Sequence, residues 1–381
     1  MKICLICFDL SNNSLGRTAL LASALSKQHQ VEIIGTSKNG DIWYPMRHIK
    51  IPIRVYPWGR YPFFISTIQK MLRDMDADVF IACKLRPTSF GIALLKKWLT
   101  GKPFIVDIDD WEAGFYYSAS FWGRVGRFLN LSNPNGLPHT WFMEHLVGFA
   151  DSVIVSNQFL QKRFPFTGCM IPHCRDTSQL DPDKFDVVKI KKSLGLEGKR
   201  VVMFLGTPRA HKGIDDLIHA VESLDDPNIR LVFIGAEPSF DPQKGKPPAA
   251  QEKVLVFPKI PFDQLPRHLA AADILMVPQR DTTDTQGQIP AKIFDAMSMA
   301  IPVITTPVCD IPEVLGGTGY LVEPGNVKKL ADTIDHVLKH PEEAKEKGRR
   351  ARQRCIERYD IKVMQRNLQN LIEAVTHSSK E

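Results

Sequence analysis

Apolar runs and amphipathic stretches alternate along the chain. Lys2–Phe8 is apolar almost throughout, as in a strand buried on both faces of a sheet. The polar turn Ser11–Gly16 leads into a helix with Leu20, Leu21, Ala24 and Leu25 on one stripe. Val31–Gly35, Arg54–Pro57, Val79–Cys83, Pro103–Asp107 and Ser152–Ser156 read as further strands. Ile65–Met75, Gly91–Leu99 and a segment closing at Val147–Ala150 read as helices. Near residue 170 the pattern breaks at a polar stretch, His173–Lys184, and then restarts. Arg200–Gly206, Ile229–Gly235, Val254–Phe257, Ile274–Pro278 and Pro302–Thr305 read as strands. Ile214–Leu224, Leu265–Ala271, Lys292–Met299, Val327–Lys339 and Pro341–Tyr359 read as helices, with a Pro/Lys/Gly-rich loop over Ala236–Gln251. Repeated strand–helix units predict an α/β fold with parallel, doubly wound sheets. Two such sets predict two Rossmann-like domains.

A length of 381 residues suits two domains. The boundaries expected are 1–170 for the first domain, 171–184 for a linker and 185–362 for the second domain. A C-terminal helix, 363–381, is expected to cross back to the first. No apolar run reaches the roughly 18 residues of a membrane span, and Met1–Cys7 lacks the charged leader of a secretory signal. Seven scattered cysteines give no disulfide framework and point to a reducing, cytoplasmic setting. Cys4 and Cys7 have redox spacing but lie inside a strand.

Charge changes the picture once it is located. Residues 1–170 carry 19 Lys/Arg against 12 Asp/Glu, while residues 171–381 carry 30 of each. The whole net charge of +7 therefore sits in the first half, which reads either as a face for something anionic or as ordinary surface scatter. Phe121–Leu129 adds to this. On a helix Phe121, Trp122, Val125, Phe128 and Leu129 share one face and Arg124 and Arg127 the other, with Trp141 and Phe142 close behind. Such a stretch reads as a helix lying in a membrane interface, against the alternative of a helix packed on its own domain. No nucleic-acid recognition motif accompanies it.

Two segments carry chemistry in the second half. Phe204–Gly213 follows a strand and opens a helix. Its glycines admit close backbone approach, the helix N-terminus offers free N–H groups, and Arg209 and Lys212 add positive charge. The combination describes a diphosphate site, or alternatively a plain strand–turn–helix with two solvated cations. It lacks Walker spacing, and the chain has no GxGxxG, which weighs against a nicotinamide or flavin enzyme. Gln286–Met297 is a Gly/Pro loop entering a helix, with Asp295 about one turn inside, placed to bind ribose hydroxyls or to serve as a helix-dipole partner.

These segments resemble the retaining glycosyltransferases of family 4, the group 1 glycosyltransferases, which have the GT-B fold. Gly206, Lys212 and Gly213 match that family's G-R-x-x-x-x-K-G; Thr207 stands at its Arg position and Arg209 is expected to take over. Asp295–Ile304 matches the run that begins at the family's second Glu, whereas its first Glu is Gly287 here. Ile171–Asp176 resembles the hinge I-P-N-G-V-D, and Lys259-Ile260-Pro261 the segment that cups the nucleobase. The resemblance implies donor binding by Gly16, Gly206, Lys212, Ile260, Gln288, Ile289, Pro290, Ala291, Lys292 and Asp295. It implies a nucleotide-diphosphate sugar of UDP or GDP type as co-substrate, with no separate cofactor and no metal.

In the first half, Val106–Glu112 places three aspartates and a glutamate at a strand end. Crowded carboxylates should raise at least one pKa or recruit a cation. Alignment by strand end puts Asp109 where the family often has a His that contacts the donor sugar near the reaction centre, and Asp109, Arg209 and Lys212 are the expected catalytic residues. Lys84 and Arg86 follow another strand and, with Asp107 and Asp110, are expected to contact the acceptor. The activity implied is transfer of a sugar to an acceptor hydroxyl on a glycan or a lipid, while peripheral contact with an anionic membrane is the expectation from the basic first half and the Phe121–Leu129 stretch. The alternatives are a non-catalytic sugar-nucleotide-binding scaffold, prompted by Gly287, and an epimerase or phosphorylase of the same fold.

Overall fold

A computed structural model describes residues 1–117, 120–166, 168–242 and 252–378. Residues 243–251 of the Pro/Lys/Gly-rich loop and 379–381 of the expected C-terminal helix lie outside them. Contacts divide the chain into two compact units. The first comprises Met1–His173, Gln286–Gln288 and Ile361–Glu381; the second comprises Cys174–Thr285 and Ile289–Asp360.

The first unit is built on seven parallel strands: β1 (Lys2–Cys7), β2 (Gln30–Ser37), β3 (Ile53–Pro57), β4 (Val79–Cys83), β5 (Phe104–Ile108), β6 (Ser152–Val155) and β7 (Gly168–Met170). They run in the order β3-β2-β1-β4-β5-β6-β7. Helices on both faces bury the central strands completely, which is why β4 and β5 show no polar alternation. Helix Ile361–Ser378 belongs to this unit and buries Met364, Leu368, Ile372 and Val375, one stripe at helical spacing. It packs against helix Ser14–Leu25, and His29 Nε2 meets Gln369 Oε1 at 2.7 Å.

The second unit holds six parallel strands: β8 (Arg200–Leu205), β9 (Ile229–Ala236), β10 (Val254–Pro258), β11 (Ile274–Val277), β12 (Val303–Thr305) and β13 (Tyr320–Leu321). Their order is β10-β9-β8-β11-β12-β13. Strand order reverses between β1 and β4 in one sheet and between β8 and β11 in the other. The loops beyond the carboxyl ends of such strands are where open α/β sheets bind ligands.

The polar stretch after residue 170 is not a free connector. Arg175 forms a parallel bridge with Asp360, and Thr177 Oγ1 donates to Asp360 Oδ2 at 2.5 Å. Leu180 is buried in the second core. Arg352 Nη1 donates to Leu180 O at 2.7 Å and Arg352 Nη2 to Asp181 Oδ1 at 3.0 Å. Cys4 and Cys7 are buried free thiols of β1, with burial pushing both pKa values up.

Candidate functional site

In the second unit β8 ends at Leu205, and Gly206 takes φ +114°, a conformation that favours glycine. A Cβ at Gly206 would lie 3.3 Å from Lys292 Cε and 3.9 Å from Lys212 Nζ, so two lysine side chains meet over this glycine. Lys212 comes from the turn Ala210–Lys212, where its Nζ donates to Thr207 O at 2.8 Å. Gly213 follows with φ +67°; a Cβ there would sit 1.9 Å from Pro278 O, so only glycine fits. Lys292 lies in the first turn of helix Ala291–Ser298. That helix starts at Pro290 with no side-chain cap, which leaves its first N–H groups without a side-chain acceptor.

Three cations thus share a small volume. Burial, with Lys292 and Arg209 nearby, brings the Lys212 pKa down to about 7. Burial lowers Lys292 too; Asp295 works against that and Arg175 with it. Arg209 is exposed beside them, and neither its side chain nor that of Lys292 has a hydrogen-bonding partner among the described residues. Unpaired cations beside an uncapped helix N-terminus can attract a multiply charged anion.

Asp295 takes a different place from the one expected. It is 1% exposed, and both its oxygens are held by Arg175. Arg175 Nη1 also donates to Cys174 O at 2.7 Å and Nη2 to Ala291 O at 3.1 Å. The carboxylate expected on ribose hydroxyls is therefore bound to a guanidinium that also ties down the first turn of its helix. Ile260 is half-buried against the core and Ile289 is buried within it, so each contributes backbone rather than side chain to any ligand surface.

The first unit gathers the acidic strand end into an ion cluster. Asp107 is fully buried and paired with Arg17, with Nη2 to Oδ1 at 2.8 Å and Nε to Oδ2 at 3.2 Å. Arg17 also donates to Ile171 O at 2.7 Å and Pro172 O at 2.9 Å. An acceptor contact for Asp107 is replaced by this internal pair. Lys84 Nζ reaches Glu112 Oε1 at 2.8 Å, Asp109 Oδ1 at 3.0 Å and Asp110 Oδ2. Arg86 spends its donors on Glu112, Tyr116 Oη, Asn135 O and Thr140 Oγ1. Lys84 and Arg86 are buried, so the expected acceptor contacts are instead counter-ions of the carboxylates.

Burial alone would lower Lys84, but Asp109, Asp110 and Glu112 outweigh it and hold its pKa well above the usual lysine value. Burial raises Asp110 to about 6, helped by Asp109 and Glu112 and opposed by Lys84. Two features mark this spot. Lys84 has φ +74°, a left-handed backbone rare for a side chain of its size. Asp109 Oδ1, although near Lys84, is buried without an aligned hydrogen bond.

Gly16 lies in helix Ser14–Leu25, where a Cβ would come 3.3 Å from the Trp43 ring. Gln288 groups with the first unit, as does Gly287. Gly287 O accepts from Asn157 Nδ2 at 3.0 Å, and a Cβ at 287 would lie 2.8 Å from Trp111 Cβ. Steric fit thus demands glycine where the related pattern has a glutamate. No local spacing marks the roles of Arg17 and Arg175 in the sequence, because their partners stand 90 and 120 positions away.

Residues 199–340 match the family model of glycosyl transferases group 1. The chain is 28% identical over 194 residues to a teichuronic acid biosynthesis glycosyltransferase, TuaC, of Bacillus subtilis, covering 49% of this chain and 47% of that protein. It is 28% identical over 182 residues to N-acetyl-alpha-D-glucosaminyl L-malate synthase of Bacillus anthracis, covering 46% of each. The chain spans about half the length of the curated relatives it matches. Its fold matches sucrose-phosphate synthase of Thermosynechococcus elongatus at a TM-score of 0.75 and 15% identity, over 99% of this chain and 100% of that one. HepE of Anabaena, solved with UDP and glucose, matches at 0.73 and 15% identity, over 98% and 99%.

Proposed function

We propose that this chain, whose residues 199–340 match the family model of glycosyl transferases group 1, moves a sugar from a nucleotide-diphosphate sugar to an acceptor hydroxyl with retained anomeric configuration. The observation that carries this reading is the meeting of Lys212 and Lys292 over Gly206, beside the uncapped start of helix Ala291–Ser298. Negative charge grows on the departing diphosphate as the sugar becomes oxocarbenium-like. Protonated Lys212, Arg209 and the first-turn N–H groups supply preorganised donors for it. Removing one such donor typically costs about 10²–10³ in rate.

The leaving phosphate takes the acceptor proton in this scheme, since Asp295 is committed to Arg175. Asp109 is read as the group that contacts the sugar or the acceptor, which requires it to part from Lys84, 3.0 Å away. A UDP- or GDP-type donor is supported by two similar proteins, HepE solved with UDP and a relative named as GDP-mannose-dependent. An anionic or lipid-linked acceptor is supported by the basic first half and by relatives named for L-malate and for a phosphatidylinositol monomannoside. The free cysteines support work in a reducing compartment.

A second reading is a sugar-nucleotide-binding protein without turnover. Gly287 and the Arg175-bound Asp295 favour it, because both carboxylate positions of the related pattern are then unavailable to the donor. Calorimetric titration with UDP, GDP and ADP, followed by donor-hydrolysis and transfer assays, separates the readings. Transferase activity requires that one nucleotide bind and that Lys212→Ala lose most of kcat. Binding with no turnover favours the second reading, and unchanged kcat/KM in the variant sinks the first.

A further inference from the structure

Helix Phe121–Leu129 in the first unit has no buried residue, although its sequence places five apolar side chains on one face. Trp122 is 79% exposed, and Phe121, Phe128 and Leu129 are exposed beside it. A nine-residue helix does not hold its shape alone in water. Arg127 helps tether it, donating from Nη1 to Phe115 O at 3.1 Å and lying over the Tyr116 ring. The helix lies against segments Gly114–Tyr117 and Leu137–His145 of its own unit, yet Phe121, Trp122, Phe128 and Leu129 stay exposed.

The apolar surface continues beyond the helix. Leu131 is exposed, and the neighbouring Ser132 O accepts the Tyr61 N–H at 2.8 Å. That bond brings in Phe63, which is 82% exposed. The Tyr61 ring packs edge-on to His139 at 5.4 Å, which fixes the two segments side by side.

Charge selects the occupant. No Asp or Glu stands between Asp41 and Asp74, a stretch that includes Arg60, Lys70 and Arg73. None stands between Glu112 and Glu144, where Arg124 and Arg127 lie. The exposed aromatics thus sit in two adjoining acid-free segments, within the half that carries the whole net charge. A second copy of this face would set cations against cations. Aromatics that settle at the headgroup level, with Arg60, Arg124 and Arg127 in the same segments, fit an anionic bilayer surface.

We propose that this face, centred on Trp122 and Phe63, docks the protein on a membrane carrying anionic lipid. The inference goes beyond the transferase reading and needs only exposure and charge.

The test is co-sedimentation of the full chain with vesicles of phosphatidylcholine, with and without phosphatidylglycerol. Binding is expected only to the phosphatidylglycerol vesicles, weakening as salt screens the cations. Phe63→Ser combined with Trp122→Ser should weaken it by about tenfold or more through lost apolar burial, and Arg124→Glu should weaken it separately. Both changes lie on exposed side chains, and an unchanged Tm shows that the fold is intact. Trp122 should also be quenched by bromine-labelled lipid, a signal missing in Trp122→Phe. The proposal is overturned if the parent stays in the supernatant with every vesicle, or if the variants bind equally. It is overturned as well if the face instead drives a concentration-dependent dimer that the same changes abolish. Nucleotide binding plays no part in these readouts, so the result stands apart from the transferase reading.

Discussion

On the transferase reading, Lys212 ties donor binding to pH. Unliganded, it gives up its proton near pH 7, because burial and the neighbouring Lys292 and Arg209 disfavour its charge. A bound diphosphate restores that charge, so its pKa rises in the complex. Affinity for a nucleoside diphosphate is then full below about pH 7 and falls as pH climbs through and above it. Calorimetry at pH 8 in buffers of different ionisation enthalpy should show proton uptake on binding; its absence would remove Lys212 from the phosphates. The pair Arg175–Asp295 gives a second expectation. Arg175→Ala leaves a carboxylate buried and unpaired, which costs about 3–5 kcal/mol of stability. Replacing both with apolar residues of similar volume should cost far less. A chain that keeps its Tm in Asp295→Asn yet loses nucleotide binding would instead put Asp295 on the ligand.

Helix Ile361–Ser378 is expected to act on one unit alone. Leu368 is fully buried in it, so Leu368→Ala should cost about 2–5 kcal/mol. With two units, denaturant unfolding need not be a single transition. The first unit's transition should move, and equal loss in both would contradict this assignment. The elements themselves show what a sequence reveals. Val79–Cys83, Val327–Lys339 and Pro341–Tyr359 fall where their patterns put them, because long, strongly patterned segments are the ones a packed sheet or helix face requires. The edge strand β7 and the short helices Gln158–Arg163 and Val187–Ser193 left no such mark; β7 buries none of its residues. The same division holds in the sites. Gly206, Lys212 and Lys292 were readable from a loop and a helix start. The counter-ions of Asp107 and Asp295 were not, since tertiary folding alone brings them there.

The two units share a construction principle and differ in charge. Each has a parallel sheet with a reversal of strand order, and what differs is what lies at the strand ends. The second unit leaves cations unpaired there, whereas the first compensates its carboxylates with Lys84, Arg86 and Arg17 and carries its surplus charge elsewhere on its surface. Helix Ile361–Ser378 adds a matter of timing. It belongs to the first unit yet is encoded after the whole of the second. At about 5–20 residues per second, a ribosome leaves the first sheet without this helix for roughly 10–40 s after β7 emerges. During that interval the stripe on helix Ser14–Leu25 has no cover. A ribosome-bound chain stalled after Asp360 should therefore show a protease-resistant second unit and a cleavable first one, the later-made half maturing before the earlier. Equal resistance of both halves would mean that the sheet closes without its last helix.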